Sequence, residues 1–321
     1  MSMPNSQPRM RVVLVLATAG LLGLSACSGG PVATGLVASP SAPNALGSVP
    51  APSASGPAAS TSAPAASVSA PVALDVTVND IRIRGRCFGE RPPGAPAVVL
   101  SHGIGGDHTE MQVIEDHLRD RTMVCGYSRA GVGGSEPPAK DPRPVADVVA
   151  EMHDVLTEAA IPPPYFLVGF SGGGSLVMMY AEAHPDDVVG FVSINPVPSY
   201  DHWIKLARDV WTPEELQANE IDWYEGGNPE KIDMTGNASM LEDPLPPGMP
   251  YAVMFDEDCG GDTSFCDRIL VPLSETTEAL AQHGEGGRFE WVKGAGHDID
   301  LKAPDRVRAT LDEIWAEATR P

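Results

Sequence analysis

The segment Leu167-Val168-Gly169-Phe170-Ser171-Gly172-Gly173 lies where a short apolar run, Tyr165 to Gly169, gives way to a stretch with helical spacing, Ser171 to Ala183. A serine between glycines at such a junction is held on a sharp turn with its hydroxyl projecting. The glycines are needed because a Cβ beside it would collide with the neighbouring strand and helix. A glycine-rich phosphate cradle would need Lys followed by Ser or Thr, and Gly174-Ser175-Leu176 stands there instead. The remaining reading is a reactive serine at the edge of a buried sheet, and the rest of the chain should supply that sheet.

It does so in alternation. Leu74 to Val78 and Ile81 to Cys87 alternate apolar and polar residues around Asn79-Asp80, predicting an antiparallel hairpin. Ala97 to Leu100, Met123 to Tyr127, Tyr165 to Gly169, Val188 to Ile194 and Tyr251 to Phe255 are continuous apolar runs suited to strands buried on both faces. Arg288 to Val292 reads as the last strand. Helical spacing falls between them, over Thr109 to Arg119, Val145 to Ala160, Ser171 to Ala183, Leu273 to His283 and Pro304 to Ala318. The fold class is therefore α/β with a mostly parallel sheet covered by helices on both faces. The stretch from Asn195 to Pro250 breaks the rhythm with prolines and Trp203, Trp211 and Trp223, and is a candidate lid.

The first residues address the compartment. Arg9 and Arg11 precede an apolar run from Val12 to Leu24, shorter than the roughly 20 residues a permanent bilayer span needs. The run closes in Leu24-Ser25-Ala26-Cys27, which resembles a bacterial lipobox. That resemblance implies a signal peptide over 1–26, lipidation of Cys27 and export to the outer face of the cell membrane, with the bilayer as a partner through the anchor. Ser28 to Leu74 has no charged residue and is built mostly of Ala, Ser, Pro and Gly, so 27–71 is expected to be a disordered tether. Residues 72–321, roughly 250, suffice for one domain with a substantial core.

The formal charge is −22, and it approaches −24 once Arg9 and Arg11, one positive charge each, leave with the signal. So acidic a surface repels phosphate backbones, which argues against nucleic acid as a partner. Beside Cys27, four cysteines remain, an even number suited to disulfides in an exported protein. Cys259 and Cys266 are spaced for a local loop staple, leaving Cys87 with Cys125.

These features together resemble the α/β-hydrolase superfamily, over essentially all of Leu74 to Ala318. Three further segments carry the resemblance. Ser101-His102-Gly103-Ile104-Gly105-Gly106 is similar to the family's His-Gly-x-x-Gly oxyanion turn, which implies backbone donors at Ile104 and Gly172 and a structural part for His102. Tyr127 to Ser135 is similar to its Asp-Arg-x-Gly-x-Gly-x-Ser turn, with Ser128 in place of the aspartate. Gly294-Ala295-Gly296-His297 matches its final histidine loop, implying His297 as general base, with His202 in the lid as the reserve. The family's acid follows the penultimate strand, where Asp256-Glu257-Asp258 offers carboxylates: Asp258 is favoured, then Asp256, with Asp262 a further option. The family's alternative acid position, after the sixth strand, reads Ile194-Asn195-Pro196 and has no carboxylate. The resemblance also places Cys87 and Cys125 on neighbouring strands.

The resemblance implies an eight-stranded sheet, no cofactor, no metal, and hydrolysis of a carboxylic ester through an acyl-enzyme on Ser171. Serine rather than aspartate at the turn argues against haloalkane dehalogenase and epoxide hydrolase chemistry. Aminopeptidase-like or thioesterase activity, and a catalytically silent binding protein on the same scaffold, are the competing expectations.

Overall fold

The structure is a computed structural model and describes residues 70–197, 199–217, 222–239, 245–256 and 266–320. The signal peptide, Cys27 and nearly all of the tether lie outside the described residues. So do Asp258, Cys259, Asp262 and the side chain of Cys266.

Eight strands form one sheet in the order β1 (Val72–Val78), β2 (Ile81–Phe88), β4 (Val124–Ser128), β3 (Ala97–Ser101), β6 (Tyr165–Phe170), β7 (Val188–Ile194), β9 (Tyr251–Asp256) and β10 (Gly287–Val292). Strand β2 runs antiparallel to both neighbours, and the remaining pairings are parallel. Asn79 and Asp80 turn the first hairpin with φ of 50° and 64°, the left-handed pair that a tight two-residue turn requires. Two-residue strands β5 (Arg143–Pro144) and β8 (Ile232–Asp233) pair separately and tie the insertion to the body.

The period-two alternation of the central strands divides their side chains between two cores. Val99, Leu167, Phe191 and Val253 face α2 (Val145–Glu158) and α3 (Gly172–Ala183), packing with Val148, Met152, Val155, Leu176 and Tyr180. Val98, Val168, Val192 and Met254 face the opposite side, with Ile114 and Leu118 of α1 (Gln112–Leu118) and a C-terminal helix over Pro304–Ala318. Helix α1 starts three residues later than its apolar spacing predicts, because the Asp107 carboxylate accepts hydrogen bonds from the N–H and hydroxyl of Thr109 and holds a turn there. Cys87 and Cys125 are cross-strand partners of β2 and β4, joined by a disulfide.

The stretch after β7 carries α4 (Tyr200–Val210), α5 (Pro213–Leu216) and α6 (Asp222–Tyr224). Tyr200, Trp203 and Ile204 pack with Phe255, Ile269 and Leu273 in a third, smaller core, the last of these on α7 (Val271–Ala281). Trp203 meets Trp211 edge to face and is spent on packing. Among the described residues no helix is long and apolar enough to cross a membrane. The parallel strands all end at one edge of the sheet, so the loops after β3, β6, β7, β9 and β10 gather there.

Candidate functional site

At that edge Ser171 occupies the turn between β6 and α3 with φ 53° and ψ −125°, a conformation costly for a non-glycine residue. Neighbours over-determine it. Its N–H donates to Ile194 O at 2.9 Å, and its carbonyl accepts from the N–H of Gly174 at 2.9 Å. A Cβ at 169 would overlap the carbonyl of Gly173, and one at 173 would overlap the carbonyls of Ser101 and His102. The glycines therefore allow β3, β6 and α3 to meet closely enough to form the turn.

His297 descends from the loop after β10 and sets Nε2 3.1 Å from Ser171 Oγ. Its ring packs beside Phe170, with centroids 5.0 Å apart. Enclosure of the imidazole lowers its pKa below the ordinary value, while Asp256, Asp298 and Asp300 pull in the opposite direction. The other ring nitrogen does not meet a carboxylate among the described residues. Nδ1 faces Nδ2 of Asn195 at 3.0 Å, and the same amide nitrogen donates to Asp256 Oδ2 at 2.8 Å. Asp256, at the end of β9, thus stands one residue removed from the imidazole. His202, on α4, has its Nε2 buried and without a hydrogen-bond partner among the described residues, whereas the imidazole beside Ser171 is that of His297.

The turn after β3 lies over the start of α3. A Cβ on Gly172 would overlap Ile104 Cγ1, so these two residues are in intimate contact. Gly172 opens α3, and its N–H belongs to the first turn, where amides lack intrahelical acceptors. On the facing turn, the N–H of Gly103 donates to Glu110 Oε2 at 2.6 Å and that of Gly105 to Glu230 Oε1 at 2.6 Å. The amide between them, that of Ile104, meets no acceptor among the described residues. Arg129, buried beneath, donates to the carbonyls of His102 and Gly103 at 2.9 Å each and pairs with Glu230 at 2.5 Å. His102 is enclosed against this guanidinium, and burial together with Arg129 holds its pKa well below the ordinary value, so it stays neutral and structural. Ser128, in the usual aspartate position, accepts from the N–H of His108 at 3.0 Å and braces the same turn.

The comparisons with known proteins agree with this architecture. Residues 96–214 match the family model described as the alpha/beta hydrolase fold. The chain has the α/β-hydrolase fold. Among solved structures, this α/β-hydrolase-fold chain is similar to a thermophilic esterase from Thermogutta terrifontis, with 17% identity, a TM-score of 0.55, and coverage of 78% of this chain and 100% of that one. The carboxylesterase CesB (YbfK) from Bacillus subtilis gives 18%, 0.52, and coverage of 76% and 91%. Among curated relatives, "Putative carbamate hydrolase RutD" of Caulobacter sp. is 26% identical over 68% of this chain and 91% of its own length. Other curated relatives match over less: the chain spans 19% of "Probable transporter efuK" of Hormonema carpetanum, at 28% identity over 40% of this chain.

Elsewhere in this hydrolase-fold chain, His153, His184 and Asp187 bring ligand atoms within 4.8 Å of one another. The two imidazoles stack with planes 3° apart and centroids 4.3 Å apart, so their in-plane lone pairs do not converge on one ion, and Nδ1 of His153 already faces the Tyr180 hydroxyl at 3.2 Å. This arrangement does not fit a metal. Three residues at the Ser171 site escape sequence reasoning. Asn195 has no carboxylate and is passed over on that ground, and Glu110 and Glu230 sit in stretches with no motif. Arg129 alone has a signal, in the turn after β4.

Proposed function

We propose that this protein is a serine hydrolase acting on carboxylic esters. Ser171 Oγ attacks the acyl carbon, His297 takes the proton at Nε2, and the amides of Ile104 and Gly172 hold the oxyanion. The leaving alcohol receives the proton from His297, and water repeats the sequence to free the acid. The observation that carries this reading is the 3.1 Å approach of Nε2 to a serine hydroxyl presented on a left-handed turn. The amide of Ile104, left without an acceptor among the described residues while its two neighbours bind carboxylates, supports it.

The carboxylate that stabilises the imidazolium comes from the last residue of β9 or from the segment that follows it. Asp258 is the acid that the alignment of the strand end favours, and Asp256 is the described carboxylate linked to His297 through Asn195. Trp223 is 38% exposed, and its ring lies 3.1 Å from where a Cβ on Gly105 would stand. It gives the oxyanion turn an aromatic flank suited to an apolar substrate group. We further propose a lipid anchor at Cys27 and a place on the outer face of the cell membrane, the bilayer being the partner. A p-nitrophenyl ester series of rising acyl length tests the substrate class. Hydrolysis abolished in Ser171→Ala supports an ester hydrolase, while amide- or thioester-only turnover moves the assignment to the aminopeptidase or thioesterase class.

A further inference from the structure

We infer that Asn195 sets the tautomer of His297 and acts as a brake on it as a base, a proposal that rests for its functional meaning on the serine hydrolase reading. Asn195 is 4% exposed, at the end of β7, with φ 48° and its N–H bonded to Met254 O at 2.8 Å. Its side chain is therefore fixed between the ends of β7 and β9 and the His297 loop. The identity of the amide atom facing His297 follows from its other neighbour. An atom 2.8 Å from the Asp256 carboxylate has to be a donor, because an oxygen there would set lone pair against lone pair. The amide NH2 carries two hydrogens: one goes to Asp256 Oδ2, and the other points at the His297 residue, where Nδ1 at 3.0 Å is the nearer acceptor and the His297 carbonyl at 3.4 Å the farther one.

The chemical consequence lies at the far side of the ring. A neutral imidazole whose Nδ1 accepts a hydrogen bond carries its proton on Nε2. Nε2–H then donates to Ser171 Oγ across the 3.1 Å contact and has no lone pair with which to take the serine proton. The imidazolium is disfavoured as well, since Nδ1–H would meet an N–H. In the working tautomer the proton sits on Nδ1 and faces a carboxylate. Reaching it moves one proton from Nε2 to solvent and one from solvent to Nδ1, with no net change in charge. It also requires the Asn195 amide to leave Nδ1. An amide in place of the triad carboxylate costs a serine protease about 10⁴ in kcat for this same reason, the wrong tautomer. Here the amide follows the sixth strand, so Asn195→Asp would put an acceptor at Nδ1. The introduced carboxylate and that of Asp256 would share one proton, leaving one negative charge beside the ring.

Histidine-selective ¹⁵N NMR of the whole protein reads the tautomer directly, with His297→Gln assigning the signal. The expected result is a pyridine-type Nδ1 and a pyrrole-type Nε2 in the wild type, exchanged in Asn195→Asp. There the His297 pKa rises by about one unit or more, and labelling of Ser171 by a fluorophosphonate accelerates at least about tenfold at pH 7. A pyrrole-type Nδ1 in the wild type overturns the proposal whether or not the variant folds, as does an unchanged tautomer in folded Asn195→Asp. The spectrum does not depend on turnover. An Nε2–H ring in a protein inert to the probe would refute the hydrolase reading and leave the tautomer assignment standing.

Discussion

Glu230, from the insertion after β7, places Oε2 2.5 Å from Nε of Arg129, a guanidinium anchored 101 residues earlier in the chain, and both side chains are shut away from solvent. Its other oxygen accepts from the N–H of Gly105. One carboxylate thus neutralises a buried cation and fixes the turn that carries Ile104.

Removing that carboxylate should act on stability and reactivity together. Glu230→Ala leaves Arg129 charged and uncompensated, with an expected loss of about 3–5 kcal/mol in urea unfolding. Any folded fraction should react more slowly with a serine-directed probe, because Gly105 loses its acceptor. A loss below about 1 kcal/mol would show that the pair does not hold the turn.

The contact between Gly172 and Ile104 predicts a reversible defect. Gly172→Ala drives a methyl into Ile104 Cγ1, and overpacking of this kind costs about 1–3 kcal/mol. The shifted amide should lower kcat/KM by about 10², as loss of one oxyanion donor does. Ile104→Ala in the same chain makes room for the methyl, so the double variant should recover part of both losses in a double-mutant cycle.

The disulfide should contribute to stability through the unfolded state. Cys87 and Cys125 close a loop of 38 residues, for which chain entropy gives about 4 kcal/mol. Urea midpoints of the wild type, oxidised and reduced, and of a Cys87→Ser/Cys125→Ser variant measure it. Equal midpoints for all three would contradict the cross-link.

His102 gives a signed dependence on pH. Burial keeps it neutral in the folded protein well below the ordinary imidazole value, whereas the unfolded chain protonates it near pH 6.5. Its contribution to stability is therefore complete above about 6.5 and is lost as pH falls toward the folded pKa, by up to about 1.4 kcal/mol per unit. Glu110 and Asp300, raised by burial, shift the opposite way. The test is therefore the difference between wild type and His102→Gln in unfolding free energy from about pH 7 to about pH 5.5. The wild type should lose about 1.4 kcal/mol more than the variant.

The strands of this fold are readable because the central ones are buried on both faces, and three of them directly follow a proline, Pro96, Pro164 or Pro250. Val188–Ile194 and the helix Pro304–Ala318 are bounded as the sequence predicts. Ser171 and His297 were readable because a strand-to-turn junction and a Gly-x-Gly-His loop leave local marks. Asn195 carries no mark of its own in the sequence because an amide after β7 is not a carboxylate, although the position itself is the informative part. Glu230 leaves no local mark at all: its partner Arg129 is distant in sequence, and only the folded insertion brings them together. The start of α1 was misplaced by a side chain, Asp107, whose carboxylate offers the backbone a turn in place of a helix.

The most direct test is mass spectrometry of the protein after reaction with a fluorophosphonate. The account predicts one adduct per chain, on the peptide bearing Ser171, absent in Ser171→Ala and at least about a hundredfold slower in His297→Gln. A folded wild type that stays unlabelled, or carries the adduct on another residue, would contradict it.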